Sequence, residues 1–300
     1  MNRLNQIGRL GKLSSYGPAS RGWTTQLIPE YKTVYDALPT QPSKDIALLQ
    51  NALLSSLVDG GVWARLDYFA NIQGETEDSS RLDWKSLTRT LIDKTPANVQ
   101  WHSLKGIKGN TAAYSHVRSQ FRPYQHKVNI GQDDCTYGFF SNETVANGDK
   151  VGISAYYVND DGQNATASSS TLLYSRFTSN RGAGQMHNTG DNYAITAANA
   201  VTDDIGCYMI MRRVANEQRL YKDTTLLATK VGLSSVIPNR DLSLFGGGIL
   251  APEVDSAGTS RSDYRIGFLW AGASLSDPQI TCLVNAIHLY HDSVSLFFDE

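Results

Sequence analysis

With 300 residues, the chain is long enough to bury a large core in one sandwich domain, or in a sandwich joined to a smaller module. Its formal net charge of −2 argues against a nucleic-acid-binding domain, which would normally carry a basic stripe. No segment has the apolar length of a membrane span or a signal peptide, which predicts folding in a cytoplasm without membrane insertion. Three widely spaced cysteines favour free thiols over a disulfide framework or a zinc site: Cys135, Cys207 and Cys282.

Residues 1–29 differ in composition from the rest of the chain. They contain Lys and Arg but no acidic residue before Glu30, and their apolar side chains are scattered among Gly and Ser. Such a segment cannot build a core of its own, so it is either a disordered tail or an arm that becomes ordered on a partner. The arm hypothesis gives five candidate attachment residues: Arg9, Leu10, Leu13, Tyr16 and Trp23.

Residues 30–60 have a helical pattern. Ser43 suits the N-cap of a helix that ends at Gly60, and a shorter helix precedes it and stops at Pro39. The apolar residues of the longer helix recur at helical spacing: Ile46, Leu49, Leu53 and Leu57. We interpret residues 30–60 as a helical neck that leads from the arm into the next domain.

Residues 61–300 form the main domain, in which short apolar-alternating segments are separated by Gly, Asn and Asp clusters typical of turns. About a dozen strands are predicted, which is too many for a minimal immunoglobulin-like domain and fits a jelly roll. Two predicted strands, 151–158 and 264–271, each place four apolar residues on one face: Val151, Ile153, Ala155 and Tyr157, then Tyr264, Ile266, Phe268 and Trp270.

A helix over residues 276–292 closes the domain. Ser276 and Gln279 have the spacing of a capping box, and Pro278 suits the first turn. Four apolar residues form the stripe that should lie on the sandwich: Ile280, Leu283, Val284 and Ile287. The sequence therefore predicts a mainly β protein, a jelly-roll β-sandwich with a short N-terminal helical segment and a C-terminal helix.

A catalytic set is not indicated by the sequence. Glycanases on such a fold need carboxylates two residues apart on one strand, and the Glu pair at that spacing, Glu75 and Glu77, lies in a polar loop. His288 and His291 have a spacing that a metal site can use, but no third ligand is evident, and a solvent-facing pair is the favoured interpretation. The prediction is a protein that is not an enzyme and has no catalytic, cofactor or metal site.

One polar loop is a candidate ligand rim, because Asp and Asn on the rim loops of a sandwich can bind a sugar or calcium. Its residues are Tyr156, Asp160, Asp161 and Asn164. The competing interpretation is a polar hairpin loop, since Asn, Asp and Gly are the usual residues of such turns.

Five segments, in their order along the chain, resemble a family of virion proteins from tailed phages that infect Bacteroidales, crAss-like phages included. They are residues 61–69, 83–89, 104–114, 207–230 and 266–294. The resemblance covers residues 28–295 and leaves out the N-terminal arm. Family members often have Asn-Gly in the turn after Lys222, whereas this chain has Asp223-Thr224, so we expect a wider turn or another turn type there.

The resemblance implies a concanavalin A-like (laminin G-like) jelly roll and a place on the surface of a virion, as a head fibre, a capsid decoration or a tail adhesin. It implies other virion proteins of the capsid or tail as partners, and assembly as a homodimer or homotrimer. We expect a head fibre or capsid decoration attached through residues 1–29. The alternative is a tail-associated adhesin that binds a host surface glycan.

Overall fold

The computed structural model of the chain describes residues 23–110, 115–143, 150–158, 167–177, 181–188, 195–200, 204–232, 234, 236–245 and 265–297. Three longer α-helices and two single-turn α-helices lie within these ranges. They are α1 (Pro29–Ala37), α2 (Lys44–Asp59), α3 (Glu77–Ser80), α4 (Pro123–His126) and α5 (Asp277–Ser295). None of the helices in the described ranges is long and apolar enough to cross a bilayer.

Fifteen strands are described, and every pairing between them is antiparallel. In chain order they are β1 (Leu66–Asn71), β2 (Ile92–Asp93), β3 (Gln100–His102), β4 (Gly106–Lys108), β5 (Val117–Arg118), β6 (Cys135–Ser141), β7 (Lys150–Val158), β8 (Ala167–Phe177), β9 (Arg181–Asn188), β10 (Ile195–Ala200), β11 (Gly206–Arg212), β12 (Glu217–Lys222), β13 (Thr225–Val231), β14 (Ser243–Leu244) and β15 (Arg265–Gly272).

The strands form two sheets. The first has the order β13-β12-β11-β6-β15-β4-β3, with β1 also paired to β15, and the second has the order β10-β9-β8-β7-β14-β5-β2. Neighbouring strands are often far apart in sequence, as with β6 between β11 and β15, which is the crossing pattern of a sandwich rather than of a meander. The prediction of a mainly β sandwich with N-terminal helices and a C-terminal helix is confirmed.

Two hydrophobic cores stabilise the domain. One lies between the sheets, and the other lies between the first sheet and helices α1, α2 and α5. The first sheet is therefore apolar on both faces: Phe139 of β6 belongs to the inter-sheet core, while its neighbour Phe140 belongs to the helix-covered core. Burying each such side chain contributes roughly 1.5–3 kcal/mol, so both cores add substantially to stability.

The packing of α1 and α2 corrects the prediction of a neck. Tyr31 and Val34 of α1, and Leu53 and Leu57 of α2, are buried in the same core as residues of the first sheet. The Tyr31 hydroxyl also donates a 2.6 Å hydrogen bond to Gln50 within this core. Residues 30–60 thus form helices, as predicted, but they lie on the sandwich as a third layer because their apolar stripe needs a partner surface.

The alternation predicted for residues 264–271 is interrupted in β15. A register shift lies between Ile266 and Phe268, so Ile266 faces the inter-sheet core, whereas Phe268 and Trp270 face the helices. Gly267 lies at the shift, where a Cβ atom would come within 2.7 Å of the side chain of Gln73. The bulge therefore divides the predicted apolar face between the two cores. Tyr264 lies outside the described residues.

The hairpin turn between β12 and β13 has two residues, Asp223 and Thr224, because Lys222 pairs with Thr225. The turn is therefore not widened. Asp223 has a φ of 52°, whereas Thr224 is not among the residues with positive φ, so the turn differs from type I′, in which both central residues have positive φ. The expectation of another turn type is confirmed.

Candidate functional site

A groove of about 590 Å³ opens at the N-terminus of α5, and we name it the α5-start groove. Its volume lies within the range of about 300–1,000 Å³ that is typical of small-ligand sites. Three separate segments of the chain supply its lining: Arg65, Arg213, Ser274, Leu275, Ser276, Asp277, Pro278 and Gln279.

One wall of the groove is fixed by Arg65. Its guanidinium donates to both carboxylate oxygens of Asp134, at 3.0 and 3.1 Å, and to the backbone carbonyl of Ser274. The backbone N–H and the hydroxyl of Ser274 donate to the same carboxylate at 2.8 and 2.6 Å. These bonds tie together the start of β1, the segment before β6 and the end of β15, so this wall is preorganised.

Arg213 forms another part of the lining and donates a 2.6 Å hydrogen bond to Asp277. The side chain of Asp277 is 79% exposed, so solvent screens this pair and it contributes little to stability. The Nε atom of Arg213 is buried and has no hydrogen-bond partner within the described ranges. Arg213 therefore has donor capacity that its own chain uses only in part.

The start of α5 also belongs to the lining of the groove. Gln279 accepts a 2.9 Å hydrogen bond from the backbone N–H of Ser276 and donates a 3.0 Å hydrogen bond to the carbonyl of Gly61. The predicted capping box is thus present, and it also joins α5 to the end of α2. The lining contains two arginines, and each guanidinium is paired with a carboxylate, Arg65 with Asp134 and Arg213 with Asp277.

A second cluster of reactive side chains lies where the start of β11, the β12–β13 turn and α5 meet. We name it the Cys–Asp–His cluster: Cys207, Asp223 and His288. The thiol sulfur, a carboxylate oxygen and an imidazole nitrogen lie within 4.8 Å of one another. His288 Nε2 lies 2.8 Å from Asp223 Oδ1, and the backbone N–H of Cys207 donates to the same oxygen at 2.9 Å.

The electrostatics of the cluster differ from one member to the next. Burial raises the pKa of the Cys207 thiol well above its ordinary value, so on its own the thiol is protonated at neutral pH. Burial alone would also raise the pKa of Asp223, but hydrogen bonds from His288 and from the Cys207 N–H hold it below its usual range. The carboxylate is therefore ionised, as a ligand or an ion-pair partner must be.

His288 and His291, paired in the sequence, have different partners in the structure. His288 joins the Cys–Asp–His cluster, while the Nδ1 atom of His291 lies 2.9 Å from the Nε2 atom of Gln73. Burial lowers the pKa of His291, so it is kept neutral rather than facing solvent. The prediction of a solvent-facing pair is corrected, because α5 turns this face toward Phe140 of the first sheet, whose ring contacts both imidazoles.

The two glutamates considered for catalysis have structural contacts. The carboxylate of Glu75 accepts a hydrogen bond from the backbone N–H of Ser43, at the N-cap of α2. Glu77 begins the short helix α3 and pairs with Arg81 one turn later. Glu77 is thus helical, so the two carboxylates do not share the face of a strand. Ser43 makes no side-chain cap of its own, contrary to its predicted role.

Of the predicted attachment residues, Trp23 alone lies within the described ranges; Arg9, Leu10, Leu13 and Tyr16 lie outside them. The Trp23 ring packs edge-on against Tyr35 of α1, at 5.6 Å between centroids. Of the predicted ligand rim, Tyr156 lies in β7, where its backbone is paired with Ser170. The other three rim residues lie outside the described ranges: Asp160, Asp161 and Asn164.

Sequence reasoning missed both the α5-start groove and the Cys–Asp–His cluster. Members of the groove are up to 214 positions apart, from Arg65 to Gln279, and they come together only through the order of strands in the first sheet. One signal was available for the cluster: an Asp stands in a two-residue turn where Asn-Gly is favoured, which suggests that its carboxylate is needed.

Comparison with known proteins shows similarity in structure only. No protein-family model matches the sequence, and no curated protein matches it. A mutant of Trypanosoma rangeli sialidase displaying trans-sialidase activity is similar with a TM-score of 0.54 and 13% identity, over 86% of this chain and 39% of that one. Trypanosoma rangeli sialidase in complex with 2,3-difluorosialic acid is similar with a TM-score of 0.51 and 12% identity, over 81% of this chain and 40% of that one.

The CBM40 of Ruminococcus gnavus IT-sialidase, bound to α2,3-sialyllactose, has a TM-score of 0.38 at 13% identity, over 53% of this chain and 83% of that one. That score is too low to carry an argument. The chain spans about two fifths of the length of the two Trypanosoma rangeli sialidase chains. At these identities the similarity shows the fold alone, a β-sandwich that also occurs in sialidases, and no activity follows from it.

Proposed function

We propose that this chain is a non-catalytic glycan-binding protein on the surface of a phage particle, and that the α5-start groove holds the glycan. The observation that carries the proposal is the groove itself, a preorganised concavity with guanidinium, carboxylate, amide and hydroxyl groups on its walls. Sugars present adjacent hydroxyl groups, each a donor and an acceptor, and such fixed planar partners suit them.

The charge of the groove favours a neutral ligand. Arg65 is paired with Asp134 and Arg213 with Asp277, so neither guanidinium presents an uncompensated positive charge to an acidic sugar. A neutral sugar can bridge the exposed Asp277 and the part-used Arg213 without breaking an ion pair. We therefore expect neutral oligosaccharides to bind better than sialylated ones.

The binding proposal predicts the effect of removing one guanidinium. In the variant Arg213→Met, glycan affinity should fall by about 10- to 100-fold, because a hydrogen bond to a charged group is worth about 1.5–3 kcal/mol. The thermal midpoint should change little, since the exposed Arg213–Asp277 pair contributes about 0–1 kcal/mol. A glycan array followed by calorimetry with the best neutral ligand measures both.

A matched control is Lys32→Met, which removes a cation from the exposed Lys32–Asp36 pair on α1, outside the groove lining. This variant should bind glycan as the unchanged protein does. Equal affinity of Arg213→Met and the unchanged protein would refute the groove as the site, and an array without any bound glycan would refute the binding function.

The place on the particle is the second part of the proposal. The sequence resemblance supports a virion surface protein, and the basic composition of residues 1–29 supports attachment through an N-terminal arm. Two placements follow, a head fibre or capsid decoration and a tail-associated adhesin. The α5-start groove favours the adhesin, because decoration of a capsid alone does not require an exposed ligand site.

Removing residues 1–22 tests the attachment. The shortened chain keeps Trp23 and its contact with Tyr35, so it should stay folded and soluble but should no longer join particles. Antibody labelling of particles by electron microscopy reports both incorporation and position on head or tail. The full chain with Arg213→Met should join particles normally. Normal incorporation of the shortened chain would exclude the arm as the attachment segment.

A further inference from the structure

We propose that Cys207, Asp223 and His288 bind a divalent transition-metal ion of the zinc class, with the fourth coordination position left to water or to an outside ligand. The three residues supply three different donor atoms from three separate elements, and these atoms lie within 4.8 Å of one another. Three protein ligands and one open position is a common zinc arrangement.

The donor set selects the kind of metal. A thiolate and an imidazole are poor ligands for calcium and magnesium, which take oxygen donors, and they suit zinc, cobalt and copper. The carboxylate of Asp223 completes a sulfur, nitrogen and oxygen set that borderline-soft ions accept. The ion therefore belongs to the zinc class rather than to the calcium class that rim loops of sandwiches can bind.

The backbone around the cluster is arranged for the carboxylate. Asp223 has a φ of 52°, and Gly206 has a φ of 142°, a conformation that L side chains rarely adopt. A Cβ atom at Gly206 would lie 2.7 Å from Asp223 Oδ2, so only glycine leaves room for the carboxylate. Two uncommon backbone conformations thus meet at one side chain, which is the pattern expected where local strain serves a site.

An outer layer of contacts orients the ligands, as is usual around bound metals. The Cys207 backbone N–H donates to Asp223 Oδ1, and the Asp223 backbone N–H donates to the Cys207 carbonyl at 2.7 Å. The His288 ring packs edge-on against Phe140, with 5.4 Å between centroids. Cys207 and Asp223 are therefore held together by backbone hydrogen bonds, and the ring of His288 is held by its contact with Phe140.

Metal binding requires a small rearrangement and the loss of protons. Bond lengths of about 2.0–2.3 Å place neighbouring donor atoms of a tetrahedral zinc site about 3.4 Å apart. Asp223 and His288 are about one-third exposed and can adjust, whereas Cys207 is fixed in β11. The Cys207 thiol releases its proton to solvent and His288 binds through unprotonated Nε2, so the metal replaces a proton between imidazole and carboxylate.

Cobalt is the probe for the full-length protein, because Co²⁺ occupies zinc sites and a thiolate ligand gives it a charge-transfer band in the near ultraviolet. We expect one Co²⁺ per chain with that band, displacement by Zn²⁺, and a higher thermal midpoint with either metal. Cys207→Ser should abolish the band. His288→Gln and Asp223→Asn should weaken binding by more than the 10- to 100-fold typical of losing an outer-layer contact.

Matched controls are Cys282→Ser and His291→Gln, which alter a cysteine and a histidine of α5 outside the cluster. Both should keep the band and the affinity. If Cys207→Ser fails to fold, His288→Gln decides, because His288 is partly exposed, whereas Cys207 is fully buried. Stoichiometric binding that survives His288→Gln, or a chain that takes up neither Co²⁺ nor Zn²⁺, refutes the proposal. Glycan binding through the α5-start groove is independent of either result.

Discussion

Replacing Trp270 by alanine should lower the free energy of unfolding by about 3–5 kcal/mol, as expected when a large buried aromatic side chain is removed from a core. Trp270 is fully buried on the helix-covered face of β15 and lies beside Gly138 of the neighbouring strand β6. A Cβ atom at Gly138 would come within 2.3 Å of the indole ring. The indole of Trp270 therefore occupies space that is free because Gly138 has no side chain.

Gly138→Ala tests this relation between the two residues. Alone, it should cost about 1–3 kcal/mol, because the added methyl group overpacks a filled core. In the Trp270→Ala background its cost should nearly vanish, which gives a coupling energy that a double-mutant cycle from urea unfolding measures. Gly131→Ala is the control, since its Cβ atom would meet only ordinary contacts of 3.4 Å and longer. Additive costs of the two substitutions would show that the indole does not rely on Gly138.

Local signals in the sequence are sufficient for the three longer helices, α1, α2 and α5. The Ser276–Gln279 spacing predicted the start of α5, and the apolar stripe that includes Leu283 and Ile287 is buried as expected. Ile46 and Leu57 likewise predicted the buried face of α2. These features depend on contacts between residues three or four apart, which sequence spacing specifies directly.

Features that depend on contacts between residues far apart in the chain cannot be predicted from local sequence patterns. A helical pattern in residues 30–60 does not specify which surface it covers, so the sequence alone does not distinguish a neck from a third layer on the sheet. Strict alternation in β15 assumes an unbroken register, but the register shifts between Ile266 and Phe268, at Gly267, where the side chain of Gln73 from a distant segment packs. Both errors concern long-range packing rather than local propensity.

The candidate sites likewise combine residues that the sequence pattern singles out with partners that only the fold brings near. The spacing of His288 and His291 singles out His288, but its partner Asp223 lies 65 positions away and reaches it only because the β12–β13 turn packs beside α5. The α5-start groove likewise depends on Arg213, which follows β11, meeting the start of α5. Composition and spacing can suggest that a polar residue is functional. The residue that it contacts in the fold, however, is determined by the order of the strands.

His187 should make stability depend on pH. The residue is buried in β9, and its Nδ1–H donates to the Gln132 carbonyl at 3.0 Å while Nε2 accepts from the Tyr137 hydroxyl at 3.1 Å. Burial lowers the pKa of His187 to about 4, and the positive charge of the buried Arg212 acts in the same direction. The folded state therefore holds this imidazole neutral at a pH where the unfolded chain, with an ordinary pKa near 6.5, binds a proton.

The stabilisation from a lowered histidine pKa is complete above about pH 6.5 and is lost as the pH falls toward 4, where both states become protonated. As the pH falls from about 6.5 to about 4, the titration of His187 should lower the free energy of unfolding by about 3 kcal/mol. His187→Gln keeps a donor and an acceptor but cannot titrate, so its curve of stability against pH should lack this component even if its stability is lower throughout. Urea unfolding from pH 4 to 8 gives the difference between the two curves, in which the other titrating groups cancel. Parallel curves would mean that His187 is not kept neutral by the fold.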